Sequence, residues 1–385
     1  MTPPEQTSTS PWRLTLEKCA ERVQLNRERA VFPQYTIDGT WRLTDPSDAR
    51  PGFMPEEAAW TSGFWPGMLW IASAVLDDEE LATRAAELSA VLRPRAKDDR
   101  THDLGFVFMP SSVLGWAVTG KQMLLEPAFE AADTLVRRWD ARGGYLRAWG
   151  QAGTTGHAGI TTIDAMMNVA FVMAMALARG DVRAAGLALT HAHHAASNQV
   201  RPDGSTFQVA EYDPVTGAFI RGRTHQGRSP TSCWSRGQAW AIYGFALMAS
   251  LSGERRFADV ATQASEYYME HLLPDGMAPW DFTDPGDTRS TIDSSSMAIA
   301  AAGLLCLAQS TGDETGRAAA LRLLTALEAR AFIRDPGDAL LRGGTFSLPL
   351  KVGVNESLIF GDFYFMDALS RASGMPYADY LRPAR

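Results

Sequence analysis

Six times along its length the chain passes from a loop rich in aromatic, glycine and polar residues straight into a helix of small aliphatic residues. These units begin near Trp60 (WTSGFWPGMLWIASAV), His102 (HDLGFVFMPSSVLGWAV), Thr161 (TTIDAMMNVAFVMAMAL), Trp234 (WSRGQAWAIYGFALMA), Thr291 (TIDSSSMAIAAAGLLCLA) and Phe360 (FGDFYFMDALSRA). Between them lie polar, charged helical stretches at 79–92, 126–139, 182–194, 254–271 and 314–331. A helix that is apolar all round must be enclosed, and an amphipathic one covers it. Alternation of the two, at roughly 60 residues per pair, predicts a closed ring of six helical hairpins, an all-α (α/α)6 barrel. The loops feeding the inner helices then converge on one face. Short β-prone pieces at 205–212 and 218–221, joined by a Pro/Gly turn, predict a hairpin inserted there. Residues 1–10, rich in Pro, Thr and Ser, read as a disordered tail, and 11–385 as one catalytic domain.

Composition removes several classes of function. Of the 385 residues 45% are hydrophobic and 21% charged, enough apolar material for a large core. A formal net charge of −8 lacks the basic footprint that nucleic acid requires. No run of apolar residues is long enough to span a membrane. Cys19, Cys233 and Cys306 are widely spaced and form no CxxC pair, so neither a disulfide framework nor a zinc site is expected. With no basic-then-apolar leader at the start, a cytoplasmic protein is the expectation. His191, His193 and His194 lie on a polar outer helix without carboxylate or thiol at ligand spacing and read as surface histidines. No glycine-rich phosphate loop is present, and Cys233 has no orienting partner for nucleophilic work. No metal and no cofactor is therefore expected.

The chemistry concentrates in the loops of the functional face. Asp103 and Asp164 each immediately precede an inner helix, whose N-terminus favours the ionised acid unless burial opposes it. If the ring brings both to one cavity, they form a carboxylate pair in unequal environments, which suits acid/base catalysis; the alternative is that each is a helix N-cap. Downstream, Arg221, Arg223, Arg228 and Arg236 surround His225, Gln226, Trp234 and Trp240, a positive island in an acidic chain. Guanidinium forks match carboxylate or sulfate, and flat indoles cover the C–H face of a sugar, so this segment reads as a binding loop for a small anionic oligosaccharide. Trp60 and Trp149, in loops, extend the aromatic lining, whereas Trp70 and Trp116, inside helices, read as packing.

Taken in order, WTSGFWPGMLW, HDLGFVFMPSS, TTIDAMMN, RPDGSTF, RGRTHQG, WSRGQAWAIYGFA, TIDSSSMAIAAAGLL and FGDFYFMDALSR resemble the unsaturated glucuronyl hydrolases, glycoside hydrolase family 88, from about Trp60 onward. The resemblance implies an (α/α)6 barrel acting after polysaccharide lyases, which removes the 4,5-unsaturated uronic acid from the non-reducing end. It implies Asp164 as the acid/base, Asp103 as the second aspartate with His102 beside it, and Trp60, Trp149, Gln226, Trp234, Arg236 and Trp240 as substrate contacts. Gln208 stands where many relatives carry histidine, a neutral amide in place of a group that can change charge. The implied chemistry is protonation of an enol ether at C4, addition of water at C5, and opening of the resulting hemiketal. An unsaturated rhamnogalacturonyl hydrolase, a conventional inverting glycosidase, a sugar epimerase using His102 and His225, and a non-catalytic saccharide binder are the competing readings. The leaving sugar, its sulfation and the oligomeric state are left open.

Overall fold

The computed structural model describes residues 10–28, 32–46, 59–150, 153–283, 291–335 and 337–382. Of the expected tail, residues 1–9 lie outside the described residues, while Ser10 caps the first helix, its carbonyl 2.9 Å from the Arg13 N–H. The helices run in chain order as α1 (Pro11–Leu25), α2 (Phe64–Leu76), α3 (Glu79–Val91), α4 (Leu104–Phe108), α5 (Leu114–Thr119) and α6 (Leu125–Val136). They continue as α7 (Ala165–Arg179), α8 (Val182–Asn198), α9 (Ser235–Ser252), α10 (Arg255–Glu270), α11 (Ser294–Thr311), α12 (Glu314–Arg330) and α13 (Ile359–Ala372).

The inner and outer classes follow from side-chain pattern. Helices α2, α7, α9, α11 and α13 are buried along nearly their whole length. By contrast α10 buries only the stripe Phe257, Ala261, Ala264, Ser265 and Tyr268, spaced to face one side. The inner helices close a ring: α2 meets the α4–α5 segment, which meets α7, then α9, α11, α13 and α2 again. The chain is thus an (α/α)6 barrel, and the outer helix missing from the sequence reading is α1, which lies over both α2 and α13.

Inner helices α7 and α11 are joined to their outer partners α8 and α12 by tight turns at the far end of the barrel. Gly180 (φ 70°) ends α7 and Gly312 (φ 76°) ends α11, a backbone region in which a Cβ is unfavourable. The next residue, Asp181 or Asp313, caps the outer helix by accepting its free N–H groups. This arrangement puts the inner N-termini and their long loops together on the opposite face. Between α4 and α5, Met109–Val113 forms a π-helical turn containing Pro110, which has no N–H to give. The Ser111 carbonyl accepts from the Trp70 indole and the Ser89 hydroxyl, both at 2.8 Å, and so ties this irregular stretch to α2 and α3.

Strands decorate the functional face. The expected hairpin is the strand Val209–Tyr212 against Phe219–Arg223, and Val209–Tyr212 also pairs with the short strand Ile160–Thr162 that leads to Asp164. A second hairpin, Gly344–Ser347 with Val352–Glu356, was not foreseen. One histidine assignment is corrected. His191 is buried on the face of α8 that carries Ala184, Ala188, Ala192 and Ala195, and its Nδ1 accepts the Leu146 N–H at 2.9 Å. Burial, with the nearby His194 and His102, pushes its pKa down to about 3. His193 and His194 are half-buried, and each turns to its own partner, Glu254 and the Gly143 carbonyl.

Candidate active site

The two aspartates stand just before α4 and α7, but neither side chain accepts a helix N–H, so capping does not explain them. Asp103 Oδ2 instead accepts the Thr101 hydroxyl at 2.9 Å. Asp164 Oδ2 lies 2.9 Å from His102 Nε2, and Asp103 Oδ1 lies 3.5 Å from the same nitrogen. The cluster is assembled by close packing of the two helix starts. Gly105 donates its N–H to Oδ1 of the fully buried Asn168 at 2.7 Å, and a Cβ on Gly105 would sit 2.6 Å from that oxygen.

The environment shifts the protons of this cluster. Burial disfavours charge on His102, yet the carboxylate of Asp103 and the hydrogen bond to Asp164 outweigh it, and the imidazole pKa is raised. Asp103 is also raised, by burial first, with the charge of Asp164 adding to it and that of His102 opposing. His102 and Asp103 therefore each hold a proton to higher pH than the isolated side chain would. His102, Asp103 and Asp164 each offer a donor atom within 4.8 Å of the others, so they are also the described residues with the geometry to hold a cation. The nitrogen such an ion would need is the one that bridges the two carboxylates.

Around the cluster opens a cavity at the mouth of the barrel. All eleven site residues named from sequence border it: His102, Asp103 and Asp164 at the centre, with Trp60, Trp149, Gln208, His225, Gln226, Trp234, Arg236 and Trp240 around them. Phe106, Thr162, Phe346, Ser347 and Leu350 also line it and were missed. Trp60 is held in place by Phe106 and Phe360, with ring centroids 5.4 and 5.1 Å away, and Trp240 packs on Phe106 at 4.9 Å. Trp149 meets His225 edge-on at 5.5 Å. The Trp234 indole N–H is buried without a hydrogen-bond partner, a donor available to a ligand.

The positive island is neutralised where it stands. Arg221 and Arg223 both bind Glu211 on the strand Val209–Tyr212, the former at 2.6 Å. Arg228 reaches the Thr283 carbonyl at 3.3 Å, and its backbone N–H donates to Asp281. Of the four, only Arg236 borders the cavity. It is buried, stacked 4.4 Å over Trp234, and bonded to Asp293 (2.6 Å) and the Thr345 and Phe346 carbonyls. Cys233 is buried and its thiol pKa is pushed up to about 12, so it carries no nucleophile.

A histidine-bridged carboxylate pair thus stands in an aromatic-walled cavity at one mouth of an (α/α)6 barrel, and the relatives of the chain with this architecture are glycoside hydrolases. Residues 38–273 match the model of Glycosyl Hydrolase Family 88, and the chain belongs to that family. It is 34% identical over 322 residues to the unsaturated glucuronyl hydrolase of Bacillus sp. (strain GL1), covering 81% of this chain and 85% of that protein. It is 32% identical over 369 residues to the unsaturated chondroitin disaccharide hydrolase of Streptococcus pyogenes serotype M1, covering 92% and 90%. The crystal structure of the Bacillus sp. GL1 enzyme superposes with a TM-score of 0.85 at 30% identity, over 94% of this chain and 96% of that one. Among the described residues no helix is long and apolar enough to cross a membrane.

Proposed function

We propose that this chain removes a 4,5-unsaturated uronic acid from the non-reducing end of small lyase-generated oligosaccharides, starting by hydration of the C4=C5 double bond. The substrate is an enol ether, whose protonation at C4 gives a cation shared by C5 and the ring oxygen. Asp164 supplies that proton, then as carboxylate draws a proton from the water that adds at C5. The hemiketal so formed opens and sheds the rest of the saccharide. Asp103 orients the cluster and stabilises the developing cation. Trp60, Trp149, Trp234 and Trp240 stack on sugar faces, while Gln208, His225, Gln226 and Arg236 set the polar wall.

The observation that carries this reading is the single imidazole nitrogen shared by both carboxylates. It leaves Asp164 Oδ1 for the substrate and keeps both acids on one side of the reacting atoms. One oxygen of each acid lies within 4.8 Å of the other. A cytoplasmic location belongs to the same reading, supported by three free, buried cysteines, as does treatment of 11–385 as one catalytic unit. The experiment is a panel of lyase-generated unsaturated disaccharides, sulfated and unsulfated, beside their saturated counterparts. Turnover confined to unsaturated members is the expected result, and equal turnover of saturated glycosides would overturn it.

A further inference from the structure

The cavity wall contains a buried amide whose hydrogen bonds fix the orientation of a second amide that faces the ligand. Gln208 is 3% exposed. Its Oε1 accepts two backbone N–H groups, from His225 at 2.9 Å and Gln226 at 2.7 Å. Those two donors determine which end of the amide is oxygen, so Nε2 must point the other way, and it donates to Gln226 Oε1 at 2.7 Å. With its oxygen turned to Gln208, the uncommitted donors of Gln226 are its Nε2 hydrogens, and none of the described hydrogen bonds uses them. The backbone of Gln208 does separate work: its carbonyl accepts the Ile163 N–H at 2.7 Å and the Gln199 side chain at 3.1 Å, and so anchors the segment leading to Asp164.

We infer that Gln208 is a positioning residue for substrate specificity: it holds the Gln226 amide oxygen toward itself and leaves the amine end for the bound sugar, favouring a carboxylate there. This rests on the functional reading above. A hydroxyl can donate or accept and would tolerate either end of Gln226, whereas a carboxylate only accepts and requires the amine end. The donor is needed because the guanidinium bordering the cavity, Arg236, is committed to Asp293 and two carbonyls. A neutral amide pair also keeps its polarity at every pH at which the protein is folded, so these two side chains add no titration of their own beside His225, His102 and Asp103, which line the same cavity.

The test is steady-state kinetics of the wild-type chain, Gln208→Leu and Gln208→Glu on an unsaturated uronate disaccharide, with KM measured across pH. Gln208→Leu frees Gln226 to rotate and is expected to raise KM about tenfold, the worth of one hydrogen bond to a charged group, while kcat falls less than about threefold. Gln208→Glu carries an internal rescue. When protonated it can donate to Gln226 as the amide does, and when ionised it cannot, so its KM rises with pH through the carboxyl range relative to the wild-type KM at the same pH. With a disaccharide whose uronate is a neutral methyl ester as the competing ligand, the Gln208→Leu penalty shrinks to about twofold or less, a readout that a merely structural defect would not give. Wild-type KM in both variants, or a Gln208→Glu KM in constant ratio to the wild-type value across pH, overturns the assignment and leaves the functional reading intact. A wild-type chain that neither binds nor converts the unsaturated disaccharide overturns both.

Discussion

The chemistry rests on a few side chains whose protonation is set by neighbours. Asp164→Asn keeps shape and hydrogen-bonding size but has no proton to transfer, so kcat is expected to fall by about 10²–10⁴ with substrate affinity within a few-fold. Calorimetric binding beside turnover checks this, and near-normal kcat would remove Asp164 from its role. Two buried histidines act on stability with opposite sign. His102 has a raised folded pKa, so its contribution is present below the unfolded imidazole value and is lost as pH rises through the folded one. His191 has a folded pKa near 3 against an ordinary 6.5, so the unfolded chain binds the extra proton and stability falls with pH between those values. Urea unfolding at several pH values should give His191→Gln a shallower acid dependence than wild type, by up to about 1.4 kcal/mol per pH unit. Identical slopes would show that His191 stays protonated or becomes solvated in the fold.

At the scale of elements, the site is made by two helix starts that touch. Gly105→Ala would drive a methyl into Asn168 and push α4 away from α7. We predict a loss of about 1–3 kcal/mol in stability, and a kcat loss of more than tenfold as His102 moves off Asp164. Unfolding midpoints and turnover measured together check it, and wild-type kcat in a destabilised variant would uncouple the contact from catalysis. The inner helices could be read from sequence because an all-round apolar helix announces enclosure, and their loops could be read because indoles, acids and arginines crowd into short words. Pairings across the fold could not. Nothing near Arg221 or Arg223 reveals Glu211 as their common partner, which lies ten or more residues away on the neighbouring strand. The Gly344–Ser347 hairpin, which brings Phe346, Ser347 and Leu350 to the cavity, has β-prone residues but no chemical word to mark it. Burial of His191 was legible, since it continues an alanine stripe at helical spacing.

At the scale of the whole molecule, ring closure depends on the first helix. Helix α1 buries Leu16, Cys19, Ala20 and Val23 over α2 and α13, a narrow stripe among Glu17, Lys18, Glu21 and Arg22, which is why it drew no notice as a covering helix. Leu16→Ala is expected to cost about 2–5 kcal/mol, a large part of the stability of an ordinary domain, and chemical denaturation would measure it. A loss well under 1 kcal/mol would mean that α1 is not needed to seal the ring. The closed ring in turn holds the inner-helix loops on one mouth, where Asp103 and Asp164 meet at His102. The most direct measurement follows one reaction in two channels, the ultraviolet absorption of the C4=C5 enol ether and the reducing ends released from an unsaturated disaccharide. Hydration predicts that absorption falls in step with, or ahead of, the appearance of reducing ends. Reducing ends that accumulate while the absorption persists would mean attack at the anomeric carbon and would contradict the account.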